Sequence, residues 1–151
     1  MTWKVDDIVS VSIILLYAVP WIRYALTQNI GELRAFWGMI GTILINESMK
    51  HFIIGTTSPR PAGATNCNLL ANDGPQGGRP GMPSGHSAQV SFFTGYYIQT
   101  LPPSLWTRLL LPSYAILVMA SRWTKSCHSP IQILSGSVLG FILSTVVVRH
   151  L

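Results

Sequence analysis

The sequence predicts an all-α integral membrane helical bundle of about five transmembrane helices. Three observations predict it. Only 10% of the 151 residues are charged, where soluble domains carry about 25%. Ten basic and five acidic side chains cannot cover a globule of this length without leaving wide apolar patches in contact with solvent. The charges also avoid long stretches: Ser129 to Val148 runs 20 residues without one, about the number that crosses a bilayer as a helix. The same composition excludes a disordered chain, which would be polar or highly charged. The ten cations are scattered rather than clustered, which argues against nucleic acid as a partner.

The elements follow in order. Ile8 to Ile22 is uncharged and sets a first helix over about 7–27. Asp6 and Asp7 precede it and no small-x-small cleavage site follows before Arg23, so it reads as a retained membrane helix and not a signal peptide. Ala35 to Asn46 anchors a second helix over 33–55. The uncharged run Ser87 to Thr107, broken by Pro102-Pro103, gives a third over 86–101. Leu109 to Ser121 gives a fourth over 105–122, and the last run a fifth over 129–149. Pro20 and Pro112 fall inside helices, where neighbouring helices of a bundle can absorb a kink. Gly136 and Gly140 form a small-xxx-small pair suited to close packing. Between helices two and three, residues 55–83 are rich in Gly, Pro, Asn and Thr. A connection that long is usually functional or disordered.

Helix direction alone gathers three unusual clusters at one face. These are Lys50 with Arg60-Pro61, then Pro83-Ser84-Gly85-His86, then Ser121-Arg122 with His128. Arginine forks and a lysine point charge match phosphate oxygens. The amides of Ser84 and Gly85, at a helix start, are further anion donors. Two histidines can divide phosphoryl transfer: one attacks phosphorus, the other handles the proton of the leaving oxygen and then of water. No acidic residue follows Asp73, which disfavours carboxylate-held magnesium; neither a metal nor a cofactor is expected.

These residues resemble the signature of the type 2 phosphatidic acid phosphatase (PAP2) superfamily: a lysine some seven residues before Arg-Pro, then Pro-Ser-x-His, then Ser-Arg, five residues, His, three residues and Asp. The resemblance spans about residues 46–140. It implies one PAP2-like membrane phosphatase domain over 1–151, with an active-site loop at about 55–85. It implies His128 as nucleophile, His86 as general acid and base, and Lys50, Arg60, Ser84, Gly85 and Arg122 on the phosphate. Two departures stand out. Arg60 follows Lys50 by ten positions instead of seven, and Gln132 stands where the family has aspartate. A glutamine carbonyl can still accept the nucleophile's other ring N–H. The strings Asn46-Glu47 before Lys50-His51, Gly81-Met82-Pro83-Ser84, and His128 followed by Gln132 are similar to dolichyl and other polyprenyl diphosphatases. They imply a polyprenyl diphosphate substrate, with phosphatidic acid or phosphatidylglycerophosphate as alternatives. A noncatalytic protein that binds an anionic lipid is a further alternative. Vanadium haloperoxidases share a similar pocket but are much larger soluble proteins.

The remaining residues receive plainer readings. Glu47, three positions before Lys50, neutralises or orients Lys50 or His51. Arg79-Pro80 repeats the Arg-Pro dipeptide and offers a substitute for Arg60. His51 and His150 match no motif. Lys125 faces water or lipid headgroups, and Trp3, Trp21, Trp106 and Trp123 sit near helix ends as aromatic belts do. Arg23, Arg34, Arg108 and Arg149 fall opposite the three clusters. The positive-inside tendency puts that end in the cytoplasm and the clusters toward the lumen or exterior of an endoplasmic reticulum, plasma or inner membrane. Cys67 and Cys127 then share the oxidising side, where they could form one disulfide. The expected partners are membrane lipids and the lipid phosphate substrate.

Overall fold

A computed structural model describes residues 4–150; Trp3 lies outside the described residues. Five helical rods run alternately up and down. α1 spans Val5–Thr27 and tightens to a 3₁₀ turn at Ser12–Ile14. Asp7 closes its start by accepting the Lys4 amide (3.1 Å), and Gln28 ends it in the left-handed conformation. α2 is Ile30–Ser48, opened by Asn29, whose side chain accepts from the Gly31 amide (2.9 Å). It continues as a π-helical stretch, Met49–Ile54. α3 is Gly85–Thr100, capped by Ser84. α4 begins as a π-helical turn, Trp106–Leu110, and continues over Leu111–Thr124. That turn leads straight into Pro112, whose ring has no N–H to return to the preceding turn. α5 is Pro130–His150.

Polar side chains share the inside with an apolar cluster around Ile13, Met39, Phe92 and Val118, and large apolar side chains cover much of the outside. Arg122, His128, Gln132 and Asn46 are among the largest fully buried side chains, while Leu15, Ile22, Leu44, Phe52 and Leu134 are exposed. A water-soluble protein shows the reverse tendency. α1 and α5 are long and apolar enough to cross a membrane. α3 is shorter, at 16 residues, because it is the central helix: it touches each of the other four rods and needs little lipid-facing surface of its own.

α3 and α5 share the most extensive contact, and the glycine pair explains it. A Cβ on Gly136 would stand 2.3 Å from the Ser84 carbonyl oxygen, and one on Gly140 would stand 2.0 Å from that of Ala88. Only glycine lets the two backbones approach so closely. At the far end, Arg23 pairs with buried Glu32 (2.7 Å), and the Tyr97 hydroxyl donates to the other Glu32 oxygen (2.6 Å). Arg23 is thus bonded within the bundle as well as lying at the end opposite the clusters.

The 55–84 connection is ordered on itself. Its limbs pair antiparallel at Pro59 with Pro80 and at Thr65 with Pro75, through bonds such as Arg60 N–H to Arg79 O (2.8 Å) and Gln76 N–H to Ala64 O (2.8 Å). Asp73 accepts from the amides of Cys67 (2.6 Å) and Asn68 (3.2 Å). A disulfide joins Cys67 to Cys127, with Cα atoms 5.5 Å apart, and ties this loop to the one carrying His128.

Candidate active site

The loop, the upper ends of α2 and α3, and the α4–α5 turn enclose a cavity of about 230 Å³. Glu47, Lys50, Arg60, Gly85, His86 and His128 line it, and Asp73 and Gln89 also belong to the wall. The topology therefore brings together both histidines and two of the three cations named from sequence.

Lys50 reaches the cavity despite its distance from Arg60 in the chain. The π-helical stretch at Met49–Ile54 and the 3₁₀ turn at Gly55–Thr57 take up the additional residues. Lys50 is buried and its ammonium bonds Glu47. Glu47 also meets His51 (3.3 Å), so it serves both partners expected of it. Arg60 directs Nη1 to the Cys127 carbonyl (3.4 Å) and to His128 Nε2 (3.4 Å). Its Nε is buried without a partner. Burial lowers the Arg60 pKa, while the carboxylates of Asp73 and Glu47 favour its charged form.

His128 sits in the short turn before α5, buried. Its Nδ1 lies 3.3 Å from Gln132 Oε1. The Gln132 amide can point only one way. Oε1 accepts from the Ser129 amide (3.1 Å), and Nε2 donates to Ser58 O (3.2 Å), Ser58 Oγ (3.1 Å) and Pro59 O (2.9 Å). A carbonyl facing Nδ1 requires the proton there, which leaves the Nε2 lone pair beside Arg60. Burial, and then the charges of Arg60, Arg122 and Lys50, hold His128 well below the ordinary histidine value; the bond to Gln132 works the other way. The ring is neutral near pH 7, with its lone pair at Nε2.

Two predicted phosphate ligands stand behind the wall. Ser84 is fully buried and its amide donates to the Gln132 carbonyl (3.0 Å), so this N–H is used where α5 seats on α3. Arg122, also fully buried, donates Nη2 to the Cys67 carbonyl (2.6 Å) and Nη1 to Ser10 Oγ. Its Nε has no partner. Gly85, first residue of α3, does line the cavity. Arg79 is exposed on the outer limb of the loop and offers only backbone to Arg60.

Lys125 is a correction. It does not face water or headgroups: it bonds Asp7 (2.6 Å) and the Asn66 carbonyl (2.9 Å), because α1 runs beside the loop. The sequence reading also missed Ser10 and Tyr17 on α1. Ser10 Oγ lies 3.2 Å from His86 Nε2, and the Tyr17 hydroxyl donates to Gln89 (2.5 Å). A signal was present: Asp7, Ser10 and Tyr17 recur at helical spacing on one face of an otherwise apolar helix.

No curated protein and no solved structure matches the chain significantly. A family model, described as the PAP2 superfamily, matches residues 31–151. The match holds four of the five rods and all the residues lining the cavity, and on it the chain belongs to the PAP2 superfamily.

Proposed function

We propose that this protein is a metal-independent membrane lipid phosphatase that cleaves a polyprenyl diphosphate to the monophosphate and inorganic phosphate. Membership of the PAP2 superfamily supports phosphoester hydrolysis. The observation that carries the mechanism is the orientation of His128: Nδ1 is engaged by Gln132 and Nε2 lies beside Arg60. In the proposed reaction, Nε2 attacks the terminal phosphorus, the phosphoanhydride P–O bond breaks, and His86 gives a proton to the departing oxygen. Water then attacks the phosphohistidine, the N–P bond breaks, and His86 takes the water proton. Lys50, Arg60 and Gly85 bind the phosphoryl oxygens. Arg60 lines the cavity and its buried Nε has no partner within the protein, which supports a role as donor to a phosphate oxygen, since buried donors are otherwise satisfied.

No metal is required in this scheme. Glu47 is bonded to Lys50 and Asp73 to two backbone amides, so the cations meet the phosphate charge directly. The apolar exterior suits an isoprenoid tail that stays in the bilayer while the diphosphate enters the cavity. The preference for a polyprenyl diphosphate rests on the Gly81-to-Ser84 string and on Gln132, which resemble dolichyl and polyprenyl diphosphatases. The cationic residues opposite the cavity support an active site that faces the lumen or exterior.

The test is purified protein in detergent with EDTA. Phosphate release from a polyprenyl diphosphate should exceed release from phosphatidic acid and phosphatidylglycerophosphate. A faster glycerophospholipid reaction overturns the substrate, and binding without turnover of any of them overturns the enzyme.

A further inference from the structure

We infer that Ser10 on α1 positions His86 for its proton transfers and so belongs to the active site, in a helix that the family match at 31–151 does not include. The inference rests on the acid–base role proposed for His86. Three observations support it. Ser10 is a fully buried polar residue in an apolar helix. Its hydroxyl lies 3.2 Å from His86 Nε2 and accepts a hydrogen bond from Arg122 Nη1. His86 lines the cavity while Ser10 does not, so Ser10 approaches from behind and occupies the ring nitrogen turned away from substrate.

The bonding follows from the groups. A serine oxygen has two lone pairs. One takes the Arg122 N–H, and the other takes the Nε2–H of protonated His86, the form that gives its proton to the leaving oxygen and in which both ring nitrogens are donors. With Nε2–H anchored, the proton exchanged with the leaving group and then with water is carried by Nδ1, which has no protein partner among the described residues. Nε2 keeps its hydrogen throughout. Arg122 draws electron density from the same oxygen, which weakens its hold on imidazolium and favours release of the Nδ1 proton. Ser10 thus serves His86 as Gln132 serves His128: each fixes one ring nitrogen so that the other faces the chemistry.

The second step, attack by water, depends most on a placed base, because a lipid monophosphate departs readily in the first. Ser10→Ala should lower kcat for the polyprenyl diphosphate about tenfold, a fraction of the general-base effect. It should also raise the share of enzyme found as phosphohistidine at steady state in rapid-quench samples. His86→Ala should show the same pattern more strongly, and adding Ser10→Ala to it should change nothing further. A merely structural loss would lower kcat without raising the phosphoenzyme share. If Ser10→Ala does not fold, Ser10→Cys keeps the volume with a weaker acceptor and should show a smaller rise of the same kind. An unchanged kcat, or a fall in kcat with no rise in phosphoenzyme, overturns the role of Ser10 alone. Failure of the wild-type protein to form any phosphoenzyme overturns the phosphatase mechanism with it.

Discussion

His128 and Gln132 stand one helical turn apart across the start of α5, with Nδ1 and Oε1 3.3 Å from each other. The same glutamine reaches the loop with its amide nitrogen, donating to Ser58 and Pro59. One side chain thus orients the proposed nucleophile and fastens the 55–84 loop. An aspartate at this place could do the first and not the second, for it has no N–H to give. Gln132→Glu keeps an acceptor toward His128 but turns a carboxylate oxygen on the Ser58 and Pro59 carbonyls. It should cost about 1–3 kcal/mol, the range for leaving buried polar groups unsatisfied, read as a lower Tm in detergent.

The surroundings of His128 set a pH dependence. Burial and the neighbouring cations hold its pKa well below 6.5, so the attacking lone pair survives mild acid. The acid limb of kcat/KM should lie below that of an ordinary histidine. Arg60→Gln removes the nearest of those charges and should move the limb upward while raising KM. Stability has a definite sign too. Below about pH 6.5 the unfolded chain binds a proton at His128 that the folded chain does not, so acidification through that range destabilises the fold. His128→Gln should lessen this loss, measured as the slope of Tm against pH.

The α3–α5 contact is equally testable. Gly136→Ala and Gly140→Ala each drive a Cβ into backbone carbonyls of α3 at 2.3 and 2.0 Å. Neither carbonyl belongs to a flexible side chain, so the helices must part. A loss of about 1–3 kcal/mol or more is expected from such overpacking. Gly41, in the middle of α2, has nothing within 4 Å of its missing Cβ, and Gly41→Ala should be neutral or stabilising by up to about 1 kcal/mol. Thermal unfolding of the three variants side by side distinguishes the sites.

The disulfide holds two arginine acceptors in place. The Cys67 carbonyl takes Arg122 and the Cys127 carbonyl takes Arg60. The intact chain should gain the mass of two hydrogens on reduction. Reduced enzyme, or Cys67→Ser with Cys127→Ser, should lose most activity through a raised KM, because both guanidinium groups lose their bearing.

Much of the fold and the site could be read in the sequence, for physical reasons that apply to particular residues. Charge-free runs report helices directly, and alternating helix direction carries Lys50, His86, Arg122 and His128 to one end. Gly136 and Gly140 announce close packing by their spacing. Ser10 was passed over because its partners lie 76 and 112 positions away: its spacing with Asp7 and Tyr17 marks a polar face on the helix but not the residues that this face meets. Lys125 was misjudged for the same reason: its partner Asp7 is 118 residues distant. The long Lys50–Arg60 interval looked like a defect, since spacing rules assume a regular helix and could not foresee the π-helical stretch at Met49–Ile54. Ser84 and Arg122 lie near the phosphate site by motif. Their final orientation depended on the Gln132 carbonyl and Ser10, on other helices.

The central claim is nucleophilic attack by His128, and a phosphoenzyme tests it most directly. Polyprenyl diphosphate labelled in the terminal phosphate, mixed with the enzyme in EDTA and quenched rapidly, should leave label on the protein. That label should survive alkali and be lost in acid, as a phosphoramidate is. It should be absent from His128→Ala and present in His86→Ala. Label retained in His128→Ala, or full turnover by that variant, would contradict the account.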